Sequence, residues 1–297
     1  MNNTEKLPSY GGQAIIEGVM MRGQNSVAAA MRSPDGEIVI HDESLSGIYR
    51  SNIRKIPFLR GLIILWDALG LGTRFLTMSA NLQTGEDEKI EGASLILTLA
   101  GSLIVAVGLF FLLPAAAAEA LQRWLNLSAW VGNIIEGVVR LLFLILYVWA
   151  IGKMPDIERV YGYHGAEHKT INAFEAGAEL TPENVKNYSV EHARCGTAFL
   201  LTVVVFSIII FSALGPLSLA WRLASRVLLI PVVAGLAYEY IRWSGNHLDS
   251  PIIRALVRPN LALQHLTTRE PSLEMLEVSI AAFKAMIVKE EAQKITV

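Results

Sequence analysis

Cysteine is almost absent from this sequence. Cys195 is the only one among 297 residues, so an intrachain disulfide is impossible, and this usage fits a reducing compartment. Long basic runs and basic-aromatic stripes are also missing, and the net charge is only -2, so we expect no nucleic-acid partner. The N-terminal segment MNNTEKLPSYGGQ lacks an apolar stretch of signal-peptide length. Membrane entry is therefore expected to depend on internal segments.

Apolar residues, in contrast, are abundant and lie in long runs. They make up 53% of the chain, and the mean hydropathy of +0.42 indicates a membrane protein whose partner is the lipid bilayer. A helix needs roughly 20 apolar residues to cross the hydrocarbon core. We therefore predict four transmembrane helices, at residues 93–118, 131–152, 198–221 and 223–243. The fourth is the weakest because Pro231 interrupts it and Glu239 closes it, and Glu136 and Arg140 are spaced to form an ion pair inside the second.

The distribution of basic residues predicts the orientation of these helices. Four spans place both termini on one side, and most of the 25 Lys and Arg residues lie in 1–92, 153–194 and 242–297. By the positive-inside rule these segments are cytoplasmic. The apolar segment 57–80 carries Arg60, Asp67 and Arg74 on one helical face, so we predict an interfacial or half-inserted helix there rather than a span. If it did span, the N-terminal segment would lie outside.

The segments outside the bilayer contain further structure. Residues 1–56 are predicted to form a soluble domain, because Ser33-Pro34-Asp35-Gly36 is a turn signal between extended runs and favours a β-hairpin. Residues 244–297 form a cytoplasmic C-terminal segment that ends in an amphipathic helix from about residue 272. The sequence thus predicts a mainly α membrane protein with about four transmembrane helices, an interfacial helix and a small N-terminal β-containing cytoplasmic domain.

The cytoplasmic loop 153–197 carries the clearest chemical pattern, H-x-x-E-H. On a helix, His164 and His168 are four residues apart and share a face, so their imidazoles can grip one metal ion. Glu167 between them can then reach a metal-bound water and act as its general base. Alone, the motif is a weak signal, and two ordinary surface histidines are the alternative.

A second pattern, H-x-x-C, follows in the same loop. His192 and Cys195 have a spacing that lets two side chains meet one ion. Glu239, at the cytoplasmic end of the predicted fourth span, is a further candidate ligand. We therefore expect the third ligand to be His192, Cys195 or Glu239. Cys195 can instead be a small buried hydrophobe, or a nucleophile with a histidine base, in which case Arg194 would favour its thiolate. These groups all fall near the cytoplasmic ends of the predicted spans, which favours one shared site.

Four sequence blocks, GGQAIIEGVMMRG, YHGAEHKTI, HARCGTAFL and LTTREP, resemble the signature of the YqhQ-like bacterial membrane proteins. The resemblance covers nearly the whole chain, although Ala193 stands where the family has proline. It implies a multi-pass protein of the bacterial cell membrane, in a family of unknown function described as predicted metal-dependent enzymes. It also implies that Gly12, Gln13, Glu17 and Arg22 belong to the functional set.

Two functions remain open at this point. The first is a metal-dependent hydrolase, for example a peptidase, with a divalent metal, zinc above all, at the cytoplasmic membrane surface. The second is a non-catalytic scaffold or biogenesis factor for other membrane proteins, with a structural metal or polar site. A structural zinc site is closed by four protein ligands, whereas a catalytic one keeps an open position. Other membrane proteins or peptides would be the substrate or client. A transport function is less favoured because there is no inverted repeat.

Overall fold

The computed structural model describes residues 10–45, 56–84, 89–192, 195–215, 217, 221, 224–225 and 228–295. The strands are β1 (Gly11–Ile15), β2 (Gly18–Arg22), β3 (Ser26–Arg32) and β4 (Ile38–Ser44). The helices are α1 (Leu59–Gln83), α2 (Gly92–Val107), α3 (Leu113–Trp124), α4 (Ala129–Ile151), α5 (Pro155–Glu175), α6 (Pro182–Val185), α7 (Gly196–Ala213), α8 (Ile230–Gly245), α9 (Pro251–Thr267) and α10 (Leu273–Ile295). The mainly helical fold with a small N-terminal sheet is confirmed.

The four strands form an antiparallel meander in chain order. The predicted hairpin is present as β3 and β4, where Arg32 pairs with Ile38. Its turn depends on Gly36, which has a φ of 90° and donates its N–H to the Ser33 carbonyl at 2.9 Å. Glycine adopts this left-handed conformation without the penalty that a Cβ imposes.

The two central strands, β2 and β3, are buried on both faces of the sheet. Successive side chains of a strand point to opposite faces, so Val19 and Met21 pack with Phe283 of α10, while Met20 packs with Leu71 and Phe75 of α1. The amphipathic stripe predicted near the C-terminus is therefore a packing face. The N-terminal strands share their core with the first and the last helix rather than forming a core of their own.

Three helices among the described residues are long and apolar enough to cross a membrane: Gly92–Phe110, Trp130–Ile151 and Gly196–Ala213. They correspond to the first three predicted spans. The region of the predicted fourth span contains α8, which has only 16 residues, and several residues before it lie outside the description. The helix α2 continues through a π-helical turn, Gly108–Leu112, into α3.

The predicted ion pair inside the second span is present. Arg140 donates to Glu136 at 2.7 Å, and both side chains are buried. The guanidinium also donates to the carbonyl of Phe110 at 3.1 Å. Phe110 lies in the π-helical turn, which interrupts the regular α-helix. The pair therefore fastens this turn to α4.

The helix predicted at 57–80 corresponds to α1, which runs from Leu59 to Gln83. One side of α1 buries Leu71 and Phe75 against the sheet, whereas Trp66 and Leu69 are largely exposed. An apolar side that faces away from the protein core is typical of a helix at the membrane surface. Its position relative to the bilayer stays a prediction.

The helix α5 positions the candidate site. It begins at Pro155, well before the H-x-x-E-H motif. Proline suits the first helical position, and Asp156 and Glu158 in the first turn complement the helix dipole. Most of α5 from Tyr161 to Ala173 is buried, between β1 and α10. The motif therefore lies in the middle of a buried helix.

Candidate functional site

His164, His168 and Cys195 form a compact cluster. Their potential ligand atoms all lie within 4.8 Å of one another, and Nε2 of His164 is 3.2 Å from Sγ of Cys195. The two imidazole rings stack edge to face with centroids 4.4 Å apart. The helical spacing of four residues places both rings on one side of α5, and the start of α7 brings the sulfur to them.

Backbone carbonyls orient both histidines. Nδ1 of His164 lies 2.9 Å from the carbonyl oxygen of Thr267, and Nδ1 of His168 is hydrogen-bonded to that of Val190. A carbonyl can only accept, so each Nδ1 must carry the proton, and in the neutral ring Nε2 then has the free lone pair. Nε2 of His168 is buried and has no hydrogen-bond partner among the described residues.

Cys195 is the N-cap residue of α7. Its Sγ accepts from the backbone N–H of Thr197 at 3.4 Å and lies 3.1 Å from the Thr197 hydroxyl. The cysteine is buried. The helix N-terminus provides a partial positive charge and unpaired donors, which suit a sulfur atom that carries negative charge.

Glu167 lies on an adjacent stripe of α5 and faces β1 rather than solvent. It is only 4% exposed, and it accepts a backbone hydrogen bond from Gly12. Burial raises the pKa of the Glu167 carboxyl to about 7, against the opposing effects of His164 and of the Gly12 hydrogen bond. A carboxyl with this pKa can both accept and donate a proton near neutral pH.

Gly12 contacts Glu167 so closely that a larger residue would not fit. A Cβ on Gly12 would lie 2.6 Å from the Met20 carbonyl oxygen and 2.9 Å from Cγ of Glu167. Glycine at this position therefore allows strand β1 to approach the buried carboxyl. The sequence block that contains Gly12 is connected to the site by this contact.

Glu17 connects the same hairpin to α5. It has a φ of 51° in the turn between β1 and β2, and both of its carboxylate oxygens accept from Arg159 at 2.5 Å. The hydroxyl of Tyr163 donates to it at 3.2 Å. The Arg159 hydrogen bonds hold the pKa of Glu17 below its usual range. Arg159, Tyr163 and Glu167, each four residues apart, thus form one stripe that faces the hairpin.

His192 lies next to the cluster but is not one of its three members. It is buried, its ring centroid is 5.7 Å from that of His168, and its Nε2 is 3.8 Å from a carboxylate oxygen of Glu175. Its backbone is fixed by Gln264, which donates to its carbonyl at 2.9 Å and accepts from its N–H at 3.0 Å. Its ring therefore lies beside the cluster, but its nitrogens are not among the ligand atoms that lie within 4.8 Å of one another.

The remaining predicted site residues lie elsewhere. Glu239 of α8 is not in the cluster, because it binds the guanidinium of Arg60 through both oxygens. Gln13 packs against Gly72 of α1, and Arg22 lies at the far end of the hairpin, paired with Gly11. Arg194 lies outside the described residues. Of the polar candidates, the structure thus brings together the two motif histidines and Cys195, with His192 and Glu167 beside them.

Sequence reasoning missed several groups that support the site. The carbonyls of Thr267 and Val190 carry no side-chain signal, so no pattern could have identified them. Arg159 and Tyr163 had a signal, since they precede Glu167 at helical spacing. The block LTTREP was also a sequence signal. In the structure, this connection after α9 packs against α5, since a Cβ on Gly165 would lie 2.1 Å from the Arg269 carbonyl oxygen.

Across the described residues, the fold and site define a mainly helical protein with three candidate membrane-spanning helices, a small sheet and a His-His-Cys cluster in which His168 and Cys195 are buried. The chain belongs to the family described as "Protein of unknown function (DUF1385)", whose model matches residues 56–289. It is 36% identical over 296 residues to "Uncharacterized protein YqhQ" of Bacillus subtilis (strain 168). The aligned region covers 94% of this chain and 92% of that protein. The YqhQ-like resemblance is therefore confirmed. No solved structure matches the chain significantly.

Proposed function

We propose that His164, His168 and Cys195 bind a divalent metal ion, zinc first among them. The observation that carries the proposal is the orientation of the histidines by backbone carbonyls, with the unpartnered Nε2 of His168 in the cluster. Metal-binding histidines almost always donate their other ring N–H in this way. Zinc–nitrogen distances of about 2.0 Å and zinc–sulfur distances of about 2.3 Å fit ligand atoms that lie within 4.8 Å of one another.

We further propose that the site belongs to a membrane-bound hydrolase. Three protein ligands leave a fourth position open, as in catalytic zinc sites. A metal bound there would supply Lewis acidity and lower the pKa of water. Glu167, adjacent to His168 and one helical turn from His164, would accept the proton of the attacking water and return it to the leaving group. Peptides or other membrane proteins are the substrates we consider first.

For the membrane arrangement we propose four spans, with the predicted segment 223–243 as the fourth. Both termini and the site would then lie at the cytoplasmic surface, as the distribution of Lys and Arg favours. The three candidate spans support this arrangement, since Cys195 directly precedes α7 and α4 ends just before α5.

One observation favours a non-catalytic alternative. His192 is buried beside His168, so a small movement of its ring would add a fourth protein ligand. A site closed in this way would be structural. It would hold α5 against α7 without taking part in a reaction. Such a site would fit a scaffold or a biogenesis factor for other membrane proteins.

Metal analysis of the detergent-purified full chain tests the metal site. We expect about one equivalent of zinc per chain in the wild type and a loss of most of it in His164→Ala, His168→Ala and Cys195→Ser. His247→Ala is the matched control, because His247 also has Nδ1 on a backbone carbonyl but is exposed and outside the cluster. The proposal would be contradicted if the wild type bound no zinc after incubation with it, or if His247→Ala lost as much zinc as the cluster variants.

Two further variants separate the hydrolase from the structural site. With an open site, Glu167→Gln keeps the metal but loses hydrolysis of p-nitrophenyl acetate and of a quenched fluorescent peptide library, while His192→Ala keeps the metal. With a closed site, His192→Ala loses metal affinity. X-ray absorption at the zinc edge counts the ligands directly, and three imidazole nitrogens plus one sulfur would rule out the open site.

A further inference from the structure

The irregular segment 186–191 is held against α5 by its carbonyl oxygens. Nζ of Lys169 donates to the carbonyls of Lys186 at 2.8 Å and Tyr188 at 2.7 Å. The amide of Asn172 donates to those of Ser189 at 2.8 Å and Glu191 at 2.9 Å. The carbonyl of Val190, between these last two, is the one that orients His168. This segment is neither helix nor strand, so side chains must satisfy its carbonyls.

Lys169 also reaches the second segment that orients a histidine. Its Nζ lies 3.0 Å from a carboxylate oxygen of Glu270, three residues after Thr267, whose carbonyl orients His164. The connection that carries Glu270 is docked further by a hydrogen bond of 2.9 Å from the Arg269 N–H to the Tyr161 carbonyl. One ammonium group therefore links the two segments that supply the orienting carbonyls.

The lysine is suited to this task by its chemistry. Its side chain is 4% exposed, and burying a cation is costly unless its donors are satisfied. An ammonium has three N–H donors, and here two carbonyls and one carboxylate accept from them. Lys169 follows His168 directly, so these three contacts are anchored to the backbone next to the cluster.

We propose that Lys169 is a positioning residue that fixes the ring orientation and the protonated nitrogen of His164 and His168. The proposal rests on the metal site proposed above for its consequence, which is metal affinity. Groups that orient metal ligands typically change affinity by about 10- to 100-fold when they are replaced. Lys169→Met keeps most of the aliphatic volume and removes all three donors.

Cobalt(II) titration of the full chain in detergent measures the effect, because the thiolate-to-cobalt absorption reports a sulfur ligand. We expect Lys169→Met to raise the dissociation constant by about 10- to 100-fold and to weaken this absorption at equal occupancy. Lys289→Met is the matched control, since its ammonium pairs with Asp42 at 3.0 Å on the sheet, and it should match the wild type. Wild-type affinity and spectrum in a folded Lys169→Met would overturn the proposal.

Two additional measurements keep the test decisive. Glu270→Gln changes a partner that is 75% exposed, so it tests the same link with little risk to folding, and we expect a severalfold weaker affinity. The ¹⁵N chemical shifts of metal-free, histidine-labelled protein report which ring nitrogen is protonated. If the wild type bound no cobalt, the metal proposal would fail, while a tautomer change in Lys169→Met would still support the positioning role. Unchanged histidine shifts would refute it.

Discussion

The guanidinium of Arg159 holds the carboxylate of Glu17 through two hydrogen bonds of 2.5 Å. Glu17 occupies the tip of the β1–β2 hairpin with a φ of 51°, a conformation that is uncommon for residues other than glycine. The pair therefore compensates a local backbone cost with a contact to α5. It also keeps β1, and with it the Gly12 N–H, beside Glu167.

This pair makes stability sensitive to acid. Because Arg159 lowers the pKa of Glu17 from its usual value of 4.5, the carboxylate stabilises the folded state above that pH, and this contribution is lost as the pH falls through the lower folded-state pKa. We expect the thermal midpoint of Glu17→Gln to lie below that of the wild type at pH 7 and to approach it on acidification. Parallel midpoints of the two proteins from pH 7 to strongly acidic buffer, on the order of pH 3, would contradict this coupling.

Adjacent glycines at the start of β1 provide a matched test of the approach to Glu167. Gly12→Ala should lower the free energy of unfolding by about 1–3 kcal/mol, because its Cβ would overlap a backbone carbonyl and the Glu167 side chain. Gly11→Ala should change it by less than about 0.5 kcal/mol, since nothing lies within 4 Å of its Cβ. Urea titration in detergent measures both. Similar losses of stability in the two variants would show that the close contact between Gly12 and Glu167 does not determine the effect.

The buried pair in α4 should be far more important to stability than a similar pair at the surface. Arg140→Met leaves Glu136 buried without its 2.7 Å partner, and we expect a loss of about 3–5 kcal/mol. The double variant Glu136→Leu/Arg140→Met removes both charges and should recover most of this loss. Arg123→Met is the control, because the Arg123–Glu119 pair has the same spacing but Arg123 is 79% exposed, so it should cost less than about 1 kcal/mol. Equal losses for the single and double variants in urea titration would count against a buried-charge effect.

Glu239 allows a direct test of which carboxylates belong to the proposed metal site. Its oxygens accept from Arg60 and from the Phe58 N–H, so it fastens α8 to the start of α1. We expect Glu239→Gln to retain the zinc content of the wild type and to lower the thermal midpoint. Loss of zinc from a folded Glu239→Gln protein would instead make this residue a ligand.

Several features could be predicted because they depend on neighbouring residues in the chain. The spacing of His164 and His168 makes their rings share a face in any α-helix. The same rule predicted the Glu136–Arg140 pair, and the Pro-Asp-Gly turn predicted the β3–β4 hairpin. The start of α5 is harder to predict from the sequence, because Gly162 and Gly165 suggest a helix boundary at the motif. In the structure these glycines make room for Met275 and for the Arg269 carbonyl.

By itself, the sequence determined the apolar helices, the histidine pair and the absence of an intrachain disulfide, since all three follow from composition and local periodicity. Only the tertiary structure decided that Cys195, 31 residues away, lies beside the histidines while Glu239 binds Arg60. It also brought the Thr267 carbonyl across 103 residues to His164. Such contacts depend on how helices from distant parts of the chain pack, and the orienting groups are backbone atoms that every residue has. No side-chain pattern along the chain encodes them.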